Sequence, residues 1–104
     1  MPQIVKNNGH RAPFDEEKLR TSFSRALHKR PVSTTLIDEA VHRIGHRLLQ
    51  LGEREVPSRQ VGEMVMNELE RMDKVAYVRF ASVYKSFQDV DEFSDAIRKI
   101  KQDQ

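Results

Sequence analysis

The chain has 104 residues, 38% hydrophobic and 33% charged, with a net charge of +2 and no cysteine. That length suits one domain with one core. The missing cysteines remove disulfides, zinc ribbons and thiol catalysis, and no apolar run approaches the ~18 residues of a membrane span. The N-terminal residues lack the basic-then-apolar pattern of a secretory leader, so the expected setting is cytoplasmic, with no membrane partner. Charge is uneven: residues 1–30 carry seven Lys/Arg against three Asp/Glu, a net of +4, and residues 31–104 carry eleven against thirteen, a net of −2. An anionic ligand is drawn to the first third.

Ile4-Val5-Lys6 reads as a short strand, and Asn7-Asn8-Gly9 as a tight turn. His10 to Phe14 returns as a second strand with Pro13 confined to its end. Asp15 is the expected N-cap of a helix from about Glu16 to Lys29, with Phe14 and Leu19 as its hydrophobic staple and Pro31 as its stop. Leu19, Phe23, Ala26 and Leu27 face inward. Ser33 caps a second helix, Val32 and Ile37 being the staple pair; Ile37, Val41, Ile44, Leu48 and Leu51 form its core stripe, and Gly52 ends it.

Residues 53–56 are short enough to add a third strand to the hairpin, which alone is marginal in water. Ser58 is expected to cap a third helix carrying Val61, Met64, Val65, Leu69 and Met72. Asp73 caps a fourth, whose apolar residues from Val75 to Phe87 surround it almost completely, predicting the most buried helix. A last helix from about Asp91 carries Phe93, Ile97 and Ile100. The fold class is α+β and mostly helical: one domain over 1–104, with a hairpin at about 3–14, a helical bundle at about 15–103 and a short strand at about 53–56.

No constellation for catalysis is present, so an enzyme is not expected. His42 and His46 lie one helical turn apart, but no Glu follows His42 in the zinc-protease pattern and no further ligand is obvious; exposed helix histidines are the default. Neither standard phosphate-binding glycine loop occurs. Anion binding is better supported. Lys6 ends the first strand, Arg11 lies across the turn, and Lys18 sits in the first turn of a helix whose start offers unpaired backbone N–H groups. Ile4, Val5, Phe14 and Val56 offer an apolar surface for a base. The competing explanation is a solvated surface on which Lys6 and Arg11 pair with Glu16 and Glu17. Tyr77 and Tyr84 share a face of the fourth helix, either as core tyrosines or with one hydroxyl reaching a phosphate or ribose.

"IVKNNGHRAPFDEEKL" resembles the opening of an ATP-cone, the regulatory nucleotide-binding domain at the N-terminus of many ribonucleotide reductases. "RALHKRPVS" and "GEREVPSRQVGEMVMNELERMDKVAYVRFASVYKSFQDVDEF" resemble the NrdR family of bacterial repressors of ribonucleotide reductase genes, and the likeness runs from about Gln3 to Ile100. The resemblance implies a helical bundle capped by a small sheet, binding ATP or dATP, with Mg2+ as a possible companion, between cap and bundle. It implies phosphate contacts at Lys6 and Lys18, a base pocket at Val5, Phe14 and Val56, a hydroxyl contact at Ser58 and a nucleotide-facing Tyr84. Where reductase cones bring a second basic residue after the strand lysine, this chain has Asn7, which shifts the expected phosphate contact to Arg11.

The family's four-cysteine zinc ribbon, which binds DNA, has no counterpart in this cysteine-free chain. The chain resembles an excised cone or a product started at an internal methionine, and operator DNA is expected to be bound only through that ribbon. The implied function is allosteric: adenine nucleotides control formation of a homo-oligomer, with the last helix around Phe93 and Ile97 as the candidate assembling surface. The alternatives are the cone of a reductase catalytic subunit and a nucleotide-free helical interaction module.

Overall fold

The computed structural model describes residues 1–84. The helix expected from about Asp91, with Phe93, Ile97 and Ile100, lies outside the described residues, as does Phe87.

The chain opens on a hairpin of β1 (Gln3–Val5) and β2 (Arg11–Pro13). Its turn is held by the Lys6 N–H donating to the His10 carbonyl at 2.8 Å and the Gly9 N–H donating to the Lys6 carbonyl at 2.9 Å. Gly9 takes the left-handed φ of 85°, the conformation that only glycine adopts without steric cost. Asn8 acts through its side chain instead, its Oδ1 accepting the His10 N–H at 3.0 Å, an Asx bond of the kind that favours turns. β2 is shorter than residues 10–14, because Pro13 has no N–H to extend the ladder and Phe14 turns inward against the core.

β3 (Glu55–Pro57) lies on the other side of β1 and runs parallel to it, giving the order β2-β1-β3. The Gln3 N–H donates to the Arg54 carbonyl at 2.8 Å and sets the register, so Ile4 pairs with both Ala12 and Val56 while Val5 pairs with Arg11 and Pro57. Directly opposed residues share a face: Ile4, Ala12 and Val56 form one, Gln3, Val5, Arg11, Pro13, Glu55 and Pro57 the other. Val56 is only 1% exposed within the core. Its burial contributes about 2 kcal/mol and fastens the sheet to the bundle.

Four helices make up the described part of the bundle. α1 (Glu16–Ala26) is capped by Asp15, whose carboxylate accepts from the Glu17 and Lys18 N–H groups. It stops short of Lys29: Leu27 is the C-cap, and Lys29 turns to a left-handed φ of 61°. The Arg79 guanidinium then donates to the Ala26 and His28 carbonyls that the helix leaves open. α2 (Thr34–Leu51) is capped by Ser33, accepting from the Leu36 N–H, and ends at Gly52 with a left-handed φ of 67°. α3 (Ser58–Met72) follows β3 without a loop, and α4 (Lys74–Tyr84) closes the described chain.

Phe23, Ile44, Leu48 and Leu69 are fully buried where these helices meet. α4 is not the most buried helix. It packs against α3 and α1, burying Ala76, Tyr77 and Ala81 while leaving Val75 42% and Val83 81% exposed. α2, with α1 and α3 against it, buries Ile37, Ala40, Val41, Ile44, Gly45 and Leu48.

Asp73 both caps α4, accepting from the Ala76 N–H at 3.0 Å, and accepts from Arg30 Nε at 2.9 Å. Burial alone pushes its carboxyl up, but the Ala76 N–H and the Arg30 guanidinium together hold it below the usual carboxylate range. A depressed folded pKa adds stability above the unfolded value, and that stability is lost as pH falls through the folded one. Asp73→Asn is therefore expected to cost about 2 kcal/mol at neutral pH and to flatten the acid limb of the stability–pH curve, measured by urea unfolding from neutral pH downwards.

Candidate functional site

The parallel pairing of β1 and β3 brings two chain ends to one edge of the sheet. Val5 and Pro57 are partners, so Lys6, the next residue on one strand, and Ser58, the next on the other, leave the sheet side by side. Lys6 is exposed, and among the described residues no ion pair engages it or Lys18. Neither Lys6 nor Arg11 pairs with Glu16 or Glu17. Glu17 pairs with Arg20 at 2.8 Å, and Arg11 pairs with Glu55.

Ser58 is the first residue of α3 and does not cap it; the N-cap is Pro57, which has no side-chain acceptor to offer. α1, α2 and α4 each begin under a side-chain cap, from Asp15, Ser33 and Asp73. α3 begins with none and with no acidic residue in its first turn. Its leading N–H groups and the positive end of its dipole are open to an anion. α1 differs: Asp15 accepts from the Glu17 and Lys18 N–H groups, and Glu16 and Glu17 add negative charge.

α1, which carries Lys18, starts from the other end of the sheet. α1 follows β2, whose last residue Pro13 pairs with Gln3. A three-residue strand rises only about 10 Å, which sets the separation of the two ends of the sheet. Arg11 stands on the face carrying Val5, held by Glu55 in an exposed pair of the kind worth at most ~1 kcal/mol, which a ligand can displace.

The apolar residues divide between two faces. Ile4 and Val56 share the inner face and pack on the core, Val5 lies on the opposite one, and Phe14 leans over α2, its Cε1 3.8 Å from where a Cβ at Gly45 would stand. Tyr84 is half-buried, stacks on Phe80 with ring centroids 5.6 Å apart, and donates its hydroxyl proton to the Arg59 carbonyl in the first turn of α3. It thus stands beside Ser58. Burial, and next the Glu63 carboxylate, push its phenol up against a smaller opposing effect of Arg59. His42 and His46 are exposed on α2, and among the described residues no group of three His, Asp or Glu side chains is arranged to hold a metal.

A helical bundle capped by a three-stranded sheet, with an open helix start and a lysine at the edge of the cap, is the architecture of a cone-type regulatory domain. The chain belongs to the ATP-cone family, whose sequence pattern, described as the ATP cone domain, matches residues 2–90. It is 76% identical over 101 residues to the transcriptional repressor NrdR of Chromobacterium violaceum, covering 97% of this chain and 66% of that protein. It is 73% identical over 103 residues to the NrdR of Laribacter hongkongensis, covering 99% and 68%, and 65% identical over 101 residues to that of Thiobacillus denitrificans, covering 97% and 64%. The chain thus spans about two thirds of the length of these curated relatives, which are named transcriptional repressors and not enzymes.

Proposed function

We propose that this chain is the nucleotide-sensing part of an NrdR-type transcriptional repressor of ribonucleotide reductase genes. ATP or dATP binds between the sheet and the bundle, and occupancy changes self-association. Operator DNA is then contacted by a zinc ribbon, which these cysteine-free residues do not supply, in the bacterial cytoplasm. The carrying observation is the sheet edge that brings Lys6, without an ion pair among the described residues, beside Ser58 and the uncapped start of α3.

In this arrangement the α3 N–H groups and Lys6 hold phosphate oxygens, Lys18 reaches the phosphates from the far end of the sheet, and Arg11 joins by leaving Glu55. Ile4 and Phe14, half-buried over the core residue Val56, supply the apolar surroundings of the base on the inner side, with Val5 on the opposite face, while Ser58 and Tyr84 offer hydroxyls. Any Mg2+ arrives with the phosphates. Nucleotide can control assembly only by binding one assembly state better than another, since a ligand held equally by both shifts nothing.

Thermal unfolding with and without ligand tests the reading. At a hundred times its dissociation constant, ATP or dATP is expected to add ~2.7 kcal/mol of stability. A melting temperature unmoved by millimolar ATP and dATP overturns it in favour of a nucleotide-free interaction module.

A further inference from the structure

Gly62 lies five residues into α3, in a helix interior, where glycine is disfavoured relative to alanine. Its backbone gives no reason for it: among the described glycines only Gly9 and Gly52 have a positive φ. Its surroundings do. Gly62 is buried, and a Cβ built there would stand 2.8 Å from the Tyr84 Oη and nearer still to the ring carbons Cε2 and Cζ. The Tyr84 ring occupies the space that any other residue would fill with a side chain.

That seat has a chemical consequence. With the ring on Gly62, the phenol proton goes to the Arg59 carbonyl, one residue from Ser58. A phenol carries one proton and two lone pairs, so the seated Tyr84, its proton given to Arg59, has only acceptor capacity left beside the first turn of α3. It suits a hydrogen-bond donor on a ligand, a sugar hydroxyl or an exocyclic amine, and not a phosphate oxygen.

Resting on the nucleotide-binding reading above, we propose that Gly62 is a positioning residue: its missing side chain seats Tyr84 so that the phenol oxygen accepts a hydrogen bond from the nucleoside part of the bound nucleotide. Gly62 acts only through Tyr84 and touches no ligand. The seat also ties α4 to the first turn of α3.

The test is a double-mutant cycle of Gly62→Ala and Tyr84→Ala, with ATP and dATP titrated calorimetrically into each folded variant. Gly62→Ala is expected to weaken both nucleotides about five- to tenfold, the scale of one hydrogen bond and its packing, and Tyr84→Ala to do at least as much. Adding Gly62→Ala to Tyr84→Ala is expected to change affinity no further. A second readout is the ultraviolet titration of the phenols. The chain has two tyrosines, and Tyr84→Phe isolates Tyr77. In Gly62→Ala the Tyr84 phenol, moved toward water, is expected to ionise at lower pH than in the wild type.

Wild-type affinity in Gly62→Ala overturns the proposal, as does a full additional loss in the double variant. Should Gly62→Ala fail to fold, the double variant against Tyr84→Ala still decides, because the clash is gone: equal affinities support the seat and unequal ones refute it. A wild-type chain that binds neither nucleotide refutes the underlying functional reading instead. Unequal losses for ATP and dATP in Tyr84→Phe place the donor at the ribose edge where those ligands differ, and equal losses place it on a group they share.

Discussion

Replacing Lys6 and Lys18 together by alanine is expected to weaken ATP and dATP binding by about 3–6 kcal/mol, roughly 10²- to 10⁴-fold. Each ammonium contributes about 1.5–3 kcal/mol when its hydrogen bonds to phosphate are charge-assisted. The two act from opposite ends of a three-residue strand, so their losses should nearly add. The free domain should unfold within about 0.5 kcal/mol of the wild type, because both residues are exposed and form no ion pair among the described residues. Calorimetric titration of both single variants and the double variant checks the arithmetic. Arg11→Ala should cost less, since Arg11 must first give up Glu55. Retained affinity in the double variant would place the phosphates elsewhere.

The parts of the fold legible in the sequence were those written in local chemistry. Asp15, Ser33 and Asp73 cap the helices they were expected to cap, and Gly52 ends α2, because capping depends on a few adjacent residues. The Ile37 to Leu48 stripe is buried for the same kind of reason, one helix face meeting the core. What the sequence hid depends on partners far away in the chain. Nothing local says that α4 would pack on α3 and α1 through Ala76, Tyr77 and Ala81 and leave Val83 81% exposed among the described residues. Nothing local says that β3 would run parallel to β1, which brings Ser58 beside Lys6.

The candidate site divides along the same line. Its charged residues stand out as a basic N-terminal third, Val56 and Tyr84 can be picked out as an apolar surface and a shared helix face, and the family resemblance alone supplies Ser58. The sequence points to the start of α1 for an anion; Asp15 caps that helix, and α3 begins without a side-chain cap. The signal was present in the dipeptide Pro57-Ser58, since a proline at the N-cap has no side-chain acceptor. Gly62 also left a mark, an isolated glycine inside a helical pattern, which calls for a packing reason. That reason, the Tyr84 ring, lies 22 residues away.

The largest expected loss of stability from a single polar residue belongs to Arg43→Ala. Glu68 on α3 is 1% exposed, and its carboxylate accepts from Arg43 of α2 through Nε at 3.2 Å and a second guanidinium nitrogen at 2.7 Å. These hydrogen bonds, outweighing the effect of desolvation, raise the Arg43 pKa above its ordinary value. Removing the guanidinium strands a carboxylate among core side chains, and breaking such a buried pair costs about 3–5 kcal/mol. Arg43 is itself 47% exposed, so water can follow the truncation and the lower end, about 3 kcal/mol, is expected. The pair is not thereby a large net source of stability, because taking the charges from water offsets much of their attraction. Arg43→Met combined with Glu68→Leu should therefore unfold within about 1 kcal/mol of the wild type, or be more stable. Urea unfolding of the single and double variants separates the two effects: a double variant as unstable as Arg43→Ala would show that the ion pair, and not the avoidance of a lone buried charge, holds α2 against α3.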